Sequence, residues 1–303
     1  MMPPKELNNE IAWMVCDYLG DLSRAITKDL MRQVDPDGTV PVERLYAALL
    51  AGFCGAERDE KMWYFNQMVR RCEVTEYQDN PYFKYVCFPQ LKLGRWEITR
   101  DSYAPYEAFP CGDIKVFADG REVPQLGFFE EPFSFPVIKE DGREWMALKP
   151  NEVETMKDAI AKVRGSVTVF GLGLGYFTYM AARKENVSEV KVIEKSPEAI
   201  AIFTQFLLPQ FPFEDKITII EADAFDYLES GDMSSDYAFV DLWHDSGDGP
   251  ELYLKAKSYE NRHPRTRFLY WIEDSLKSAL RWKASREDMV FISRYCSILD
   301  LQT

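Results

Sequence analysis

The chain has 303 residues, and 46% of them are hydrophobic, so it is long enough to bury the core of one large domain or of two smaller ones. Its 50 acidic residues outnumber its 36 lysines and arginines, which gives a formal net charge of −14 at pH 7. This balance argues against a broad nucleic-acid surface, because phosphate binding depends on clustered lysine and arginine.

The first region, residues 1–75, has the apolar spacing of helices. From Leu7 to about Val34 apolar residues recur at steps of three and four, which is typical of one helix or a pair of helices. The sequence Asp35-Pro36-Asp37-Gly38 then predicts a turn. Pro41 is placed to begin the next helix, and residues 59–71 predict a third. We therefore expect a helical N-terminal region.

The second region, residues 76–150, has the pattern of strands and loops. Short apolar runs are interrupted by proline and glycine, and aromatic residues are dense throughout. The pairs Asp119-Gly120 and Asp141-Gly142 supply the turn residues of β-hairpins. We interpret this stretch as a small β-rich region whose aromatic side chains form core, with an aromatic acceptor pocket as the alternative.

Helix and strand alternate through the third region, residues 151–303. Asn151 followed by Glu154 has the spacing of a helix-capping box, and Ser196-Pro197-Glu198 is a strong helix start. The apolar runs that predict strands are residues 167–170, 190–193, 217–220, 237–240 and 268–272. Such alternation predicts an α/β fold with a Rossmann-like, doubly wound, mostly parallel sheet.

Glycines and acids occupy the predicted ends of these strands, where ligands bind in parallel sheets. The first strand runs into the loop Gly171-Leu172-Gly173-Leu174-Gly175, in which glycine permits tight turns and close approach of a ligand. Glu194, Asp223 and Asp241 end the second, third and fourth strands. A carboxylate at these ends can accept hydrogen bonds from ribose or adenine, although Asp223 taken alone is also explained as a helix cap.

These segments resemble the successive motifs of class I S-adenosylmethionine-dependent methyltransferases, over about residues 151–282. The resemblance implies that the glycine loop packs against the methionine part of the cofactor and that Glu194 holds its ribose. Asp223 with Ala224 would frame the adenine, and Asp241 would face the reaction centre. The implied cofactor-binding residues are Gly171, Gly173, Gly175, Tyr176, Glu194, Asp223, Ala224 and Asp241.

The sequence departs from that family in two places. Val169 stands two positions before the first glycine, where many members have an acid; polyamine synthases also have apolar residues there, although their GGGxGG-type loop is absent. About thirty residues follow the fifth strand, where the family usually adds two strands, and residues 289–292 are the candidate for one of them. An aminopropyltransferase-like enzyme, an NAD-binding domain and a non-catalytic regulatory protein therefore stay open as alternatives.

The segment after the fourth strand contains the candidate catalytic residues Asp241, His244 and Asp245. An imidazole titrates near neutral pH, so His244 can act as a general base, oriented by Asp245 or Asp241. The alternative is a structural histidine or a loop residue. Neither an Asn-Pro-Pro-Tyr-type motif nor a catalytic-cysteine signature is present.

The sequence thus predicts a methyltransferase that uses S-adenosylmethionine and acts on a small-molecule or protein acceptor. The six cysteines and two histidines have no zinc-ligand spacing, so we expect no metal. No run of eighteen apolar residues and no signal-peptide pattern is found, which predicts a cytoplasmic protein with reduced thiols and no membrane partner. The pattern specifies neither the acceptor nor the oligomeric state.

Overall fold

The computed structural model describes residues 4–21, 24–56, 59–231 and 233–283. The first part is helical, with the helices α1 (Pro4–Leu19), α2 (Lys28–Val34), α3 (Val42–Phe53) and α4 (Asp59–Met68). The apolar period that begins at Leu7 therefore belongs to a pair of helices. Gly38, at φ +62°, lies in the predicted turn that follows them.

Strands follow, together with two short helices. The strands are β1 (Val69–Cys72), β2 (Leu91–Leu93), β3 (Trp96–Tyr103), β4 (Phe109–Pro110), β5 (Lys115–Val116), β6 (Glu122–Val123), β7 (Leu126–Phe129), β8 (Phe133–Glu140) and β9 (Arg143–Ala147). The helices α5 (Val74–Gln78) and α6 (Pro81–Tyr85) lie between β1 and β2. Hairpins join β5 to β6 and β8 to β9, so both predicted Asp-Gly turns are confirmed.

The helix predicted over residues 59–71 is too long. It ends at Met68, because the next four residues form β1 and pair in parallel with β7. β4 lies on the other side of β7, and a separate antiparallel sheet has the order β2-β3-β8-β9. The backbone hydrogen bonds of β1 go to a strand more than fifty residues away, a partner that local helical periodicity does not reveal.

The third part contains a five-stranded parallel sheet. Its strands are β10 (Gly165–Phe170), β11 (Val187–Glu194), β12 (Ile217–Glu221), β13 (Tyr237–Val240) and β14 (Arg267–Tyr270). Their order is β12-β11-β10-β13-β14, and every pair is parallel. The direction of winding reverses between β10 and β13, which opens a crevice at their carboxyl ends. All five predicted strands are confirmed, whereas residues 289–292 lie outside the described residues.

Helices connect and flank these strands: α7 (Pro150–Lys162), α8 (Tyr176–Ala182), α9 (Pro197–Ile202), α10 (Ala224–Ser230), α11 (Gly249–Ser258) and α12 (Glu273–Lys283). Ser196 caps α9 as predicted, since its Oγ accepts a hydrogen bond from the Ala199 amide. The capping box predicted at Asn151 is wrong. Proline at position 150 begins α7, and the Asn151 side chain instead accepts a hydrogen bond from the amide of Gly112 at 2.9 Å.

The β-rich region packs against the carboxyl edge of the parallel sheet. Apolar side chains of both parts form one continuous core. Asp113, in the loop after β4, caps a distant helix: its carboxylate accepts the amides of Asp274 and Ser275 at 3.0 and 2.8 Å. This contact fixes the β-rich region over the strand ends. In the described part of the chain, no helix is both long and apolar enough to cross a membrane.

Candidate functional site

A cavity of about 1000 Å³ lies at the carboxyl ends of the parallel strands. Each strand contributes a residue at or just beyond its end to the lining, namely Gly171, Glu194, Asp223, Asp241 and Trp271. The volume is at the upper end of the range for small-molecule sites and has room for a nucleoside together with a second small molecule. The strand ends predicted from the sequence therefore meet around one space.

The three glycines of the loop after β10 have different surroundings. Gly171, Gly173 and Gly175 all have positive φ, at +94°, +52° and +77°. A Cβ at Gly173 would meet nothing within 4 Å, so the backbone there borders open space. A Cβ at Gly175 would overlap the ring of Phe203. Gly171 and Gly173 line the cavity. Gly175 instead precedes the first residue of α8 and packs against Phe203.

Tyr176 connects the loop to the β-rich region. Its side chain is buried and lines the cavity, and its hydroxyl accepts a hydrogen bond from the Asn80 amide at 3.0 Å. The ring meets the ring of Tyr82 edge to face. Tyr82 in turn donates a short hydrogen bond to the carbonyl of Leu174, so the N-terminal end of α6 holds the glycine loop.

Glu194 is held in place by two backbone amides. Its Oε2 accepts from Leu172 at 3.0 Å, within the glycine loop, and its Oε1 accepts from Ser196 at 2.8 Å. A carboxylate can accept about four hydrogen bonds, so two acceptor sites remain. The side chain is therefore oriented before any ligand binds.

Asp223 is the N-cap of α10, as its sequence position allowed. Its Oδ1 accepts the amides of Phe225 and Asp226 at 2.8 and 3.3 Å. Among the described residues, no group donates to Oδ2. Asp223, Ala224 and Phe225 all line the cavity. One carboxylate oxygen therefore caps the helix, and the other remains available to a ligand.

Asp241 and Glu152 share the cavity and have no ionic partner. In the described part of the chain neither carboxylate takes part in a hydrogen bond or an ion pair. Burial raises the pKa of Asp241 to about 7, with His244 lowering it and Glu194 raising it. The pKa of Glu152 is raised to about 8, first by burial and then by the charge of Asp241. Both side chains keep part of their surface open to the cavity.

Sequence reasoning did not single out Glu152. It lies in the first turn of α7, where an acidic residue is favoured by the helix dipole in any protein. The local sequence pattern does not distinguish Glu152 from a solvent-exposed acid at the start of a helix. In the folded chain the side chain lines the cavity, together with residues of the β-rich region.

His244 and Asp245 also line the cavity but differ in exposure. The His244 side chain is 69% exposed, and its Nδ1 lies 3.0 Å from Oδ2 of Asp248. Asp245 is buried and accepts a hydrogen bond from the amide of Gly247 at 2.5 Å. The sequence predicted that Asp245 or Asp241 orients the imidazole. The structure shows a hydrogen bond from the ring to Asp248, and the charge of His244 also lowers the pKa of Asp241, which burial raises.

The lining is strongly acidic. Its carboxylates are Glu144, Glu152, Glu194, Asp223, Asp241 and Asp245, and its lysines and arginines are Arg143, Lys149 and Lys195. Lys149 is already paired with Glu144 at 2.8 Å. Such a cavity favours cationic ligands over anionic ones.

No protein-family model matches the sequence. No curated protein matches it either. Among solved structures, the chain is similar to spermidine synthase from Thermotoga maritima, with 14% identity and a TM-score of 0.34 over 50% of this chain and 56% of that one. A spermidine synthase in complex with the transition-state analogue AdoDATO aligns with 15% identity and a TM-score of 0.35 over 50% of this chain and 57% of that one. The chain spans little more than half the length of these structures, and neither likeness decides which reaction it performs.

Proposed function

We propose that this chain binds S-adenosylmethionine in the cavity at the strand ends and transfers its methyl group to an acceptor held in the same cavity. One observation carries the proposal: Glu194, Asp223 and Asp241, from three strand ends, converge with the glycine loop on one cavity. The protein would do so on a doubly wound, Rossmann-like domain.

The residues present fit an adenosyl group. Glu194 keeps two acceptor sites, which matches the two hydroxyls of a ribose. Asp223 keeps one carboxylate oxygen for a donor such as the exocyclic amine of adenine, beside the apolar side chains of Ala224 and Phe225. The open space next to Gly173 leaves room for the methionine part of the ligand.

The charge of the cavity fits the sulfonium of this cofactor. Bound S-adenosylmethionine supplies a methyl group on positively charged sulfur, which needs alignment with a nucleophile more than any covalent help from the protein. Asp241 offers an unpaired carboxylate for such a cation. His244, with Asp248 beside it, is proposed to accept a proton from the acceptor at the cavity rim.

Calorimetric titration of the purified protein with S-adenosylmethionine, S-adenosylhomocysteine and NAD tests the binding part. We expect the first two to bind and NAD to bind far more weakly. Tighter binding of NAD would overturn the proposal. A His244→Ala variant should bind the nucleosides like the wild type, so that a lower rate of methyl transfer in that variant reports on the proton acceptor alone.

An aminopropyltransferase is the second candidate, because one observation favours it. The cavity has six carboxylates against three lysines and arginines, and decarboxylated S-adenosylmethionine adds no further negative charge there, whereas the methionine carboxylate does. The same titration with decarboxylated S-adenosylmethionine separates the candidates. Tighter binding of the decarboxylated compound than of S-adenosylmethionine would favour aminopropyl transfer over methyl transfer.

A further inference from the structure

The carboxylates of the cavity divide into two groups. Glu194, Asp223 and Asp245 accept backbone amides, and Glu144 is paired with Lys149. Glu152 and Asp241 have neither kind of partner among the described residues. The unpaired acids are therefore two specific side chains and not the acidic lining as a whole.

Two unpaired carboxylates that line one cavity repel each other, and burial removes part of their hydration. The burial of Glu152 and its repulsion by Asp241 both oppose ionisation. Two cationic centres in the cavity would compensate both charges. This inference rests on the proposed function, in which the sulfonium of S-adenosylmethionine is one cationic centre. The second cationic centre must then be part of the acceptor.

Glu152 lines the cavity together with residues of the N-terminal and β-rich regions. The pKa of its carboxyl group, raised first by burial, also responds to the charges of Asp241, Lys149 and Glu144, so all three lie near it. The preceding residue, Asn151, is hydrogen-bonded to Gly112 in the β-rich region. Glu152 is thus near the strand-end acid Asp241 and also near the part of the cavity lining that comes from the N-terminal and β-rich regions, which we call the far wall.

The far wall is mainly apolar. Its apolar side chains are Val15, Leu19, Tyr103, Leu126, Trp145, Met146 and Leu148. The acid on this wall, Glu144, is already neutralised by Lys149, and the guanidinium of Arg143 stands exposed at the rim. A second ammonium group on the acceptor would find no unpaired carboxylate on this wall and would be repelled by Arg143.

We propose that the acceptor is an amine with one cationic centre and an apolar alkyl or aryl body, its ammonium bound by Glu152 and its body lying against the apolar wall. A polyamine does not match this wall, because it carries a second charge into an apolar surface. Neutral and anionic acceptors leave the carboxylate of Glu152 without a partner.

Binding of simple amines tests this assignment without any turnover. Calorimetry would measure the binding of four compounds: n-octylamine, diaminooctane, octanol and octanoate. Each is titrated into the wild type, Glu152→Gln and Asp158→Asn, with and without S-adenosylhomocysteine. Asp158 is exposed on the same helix and provides the matched loss of charge. A pH of about 9 keeps alkylammonium protonated while ionising Glu152. Thermal melts verify that each variant is folded.

We expect octylamine to bind more tightly than the other three compounds. Glu152→Gln should weaken octylamine binding roughly tenfold or more, because a charge-assisted contact is lost. Asp158→Asn should bind like the wild type. Equal binding by Glu152→Gln, or tighter binding of diaminooctane, would overturn the inference while leaving nucleoside binding intact. Failure of S-adenosylhomocysteine to bind, with Glu152-dependent amine binding retained, would instead remove the proposed function and keep the amine site.

Discussion

Gly171 and Asp241 are in direct backbone contact at the ends of two adjacent strands. A Cβ at Gly171 would overlap the carbonyl oxygen of Asp241, and the amide of Asp241 donates to the carbonyl of Phe170 at 2.9 Å. This proximity fixes where the Asp241 carboxylate enters the cavity. The first glycine of the loop is therefore required by the packing of the protein itself, before any ligand is considered.

Gly171→Ala should destabilise the protein by about 2 kcal/mol or more, because it combines a backbone overlap with a φ of +94°. Urea denaturation followed by circular dichroism measures the change. Gly173→Ala is the matched control: its Cβ would enter open space, so we expect a cost of about 1 kcal/mol from the positive φ alone. Equal costs for the two variants would contradict the backbone contact.

Glu194→Ala should weaken binding of S-adenosylhomocysteine by about 1–3 kcal/mol, since hydrogen bonds to a charged group are lost. It also leaves the amides of Leu172 and Ser196 without their acceptor, so the melting temperature should fall slightly. Glu221, the exposed register partner of Glu194 on β12, supplies the control variant Glu221→Ala. Unchanged affinity in folded Glu194→Ala protein would show that this strand end does not hold the nucleoside.

The stability of the ligand-free protein should decrease as the pH rises from about 6 to 9. Folding raises the pKa of Asp241 to about 7 and that of Glu152 to about 8, chiefly by burial. The folded state therefore binds more protons than the unfolded state, and the contribution of these groups is lost as the pH passes through the two folded values. Scanning fluorimetry at constant ionic strength measures the slope.

The double variant Glu152→Gln/Asp241→Asn tests the source of this pH dependence. Without the two titrating groups the melting temperature should decline less steeply over the same pH range. His244, Lys149, Glu144 and Glu194 remain in both proteins. Identical slopes would assign the pH dependence to other residues.

Asp113→Ala should cost about 1 kcal/mol, the usual value of a lost helix cap. Its carboxylate accepts hydrogen bonds from amides in the first turn of α12, more than 150 residues away in sequence. Removing the carboxylate should therefore weaken the attachment of the β-rich region to α12. Hydrogen exchange of the amides of Asp274 and Ser275, followed by mass spectrometry, reports this locally. Asp113→Asn keeps one carbonyl oxygen and should restore part of the protection.

The sequence by itself determined the features that depend on neighbouring residues. Apolar runs located all five parallel strands, and Asp119-Gly120 and Asp141-Gly142 located two hairpins. Ser196 marked the start of α9 through contacts within four residues. The ends of parallel strands meet at one edge of a sheet, so the positions of Glu194 and Asp223 on one cavity also followed from the strand pattern.

Only the tertiary structure decided the features that depend on distant partners. Val69–Cys72 is a strand because β7 pairs with it, and Asn151 binds Gly112 instead of capping its own helix. Glu152 lines the cavity because residues of the β-rich region, distant in sequence, form another part of that space. The raised pKa of this acid comes first from burial, and burial is a property of the whole packed chain that no local sequence pattern contains.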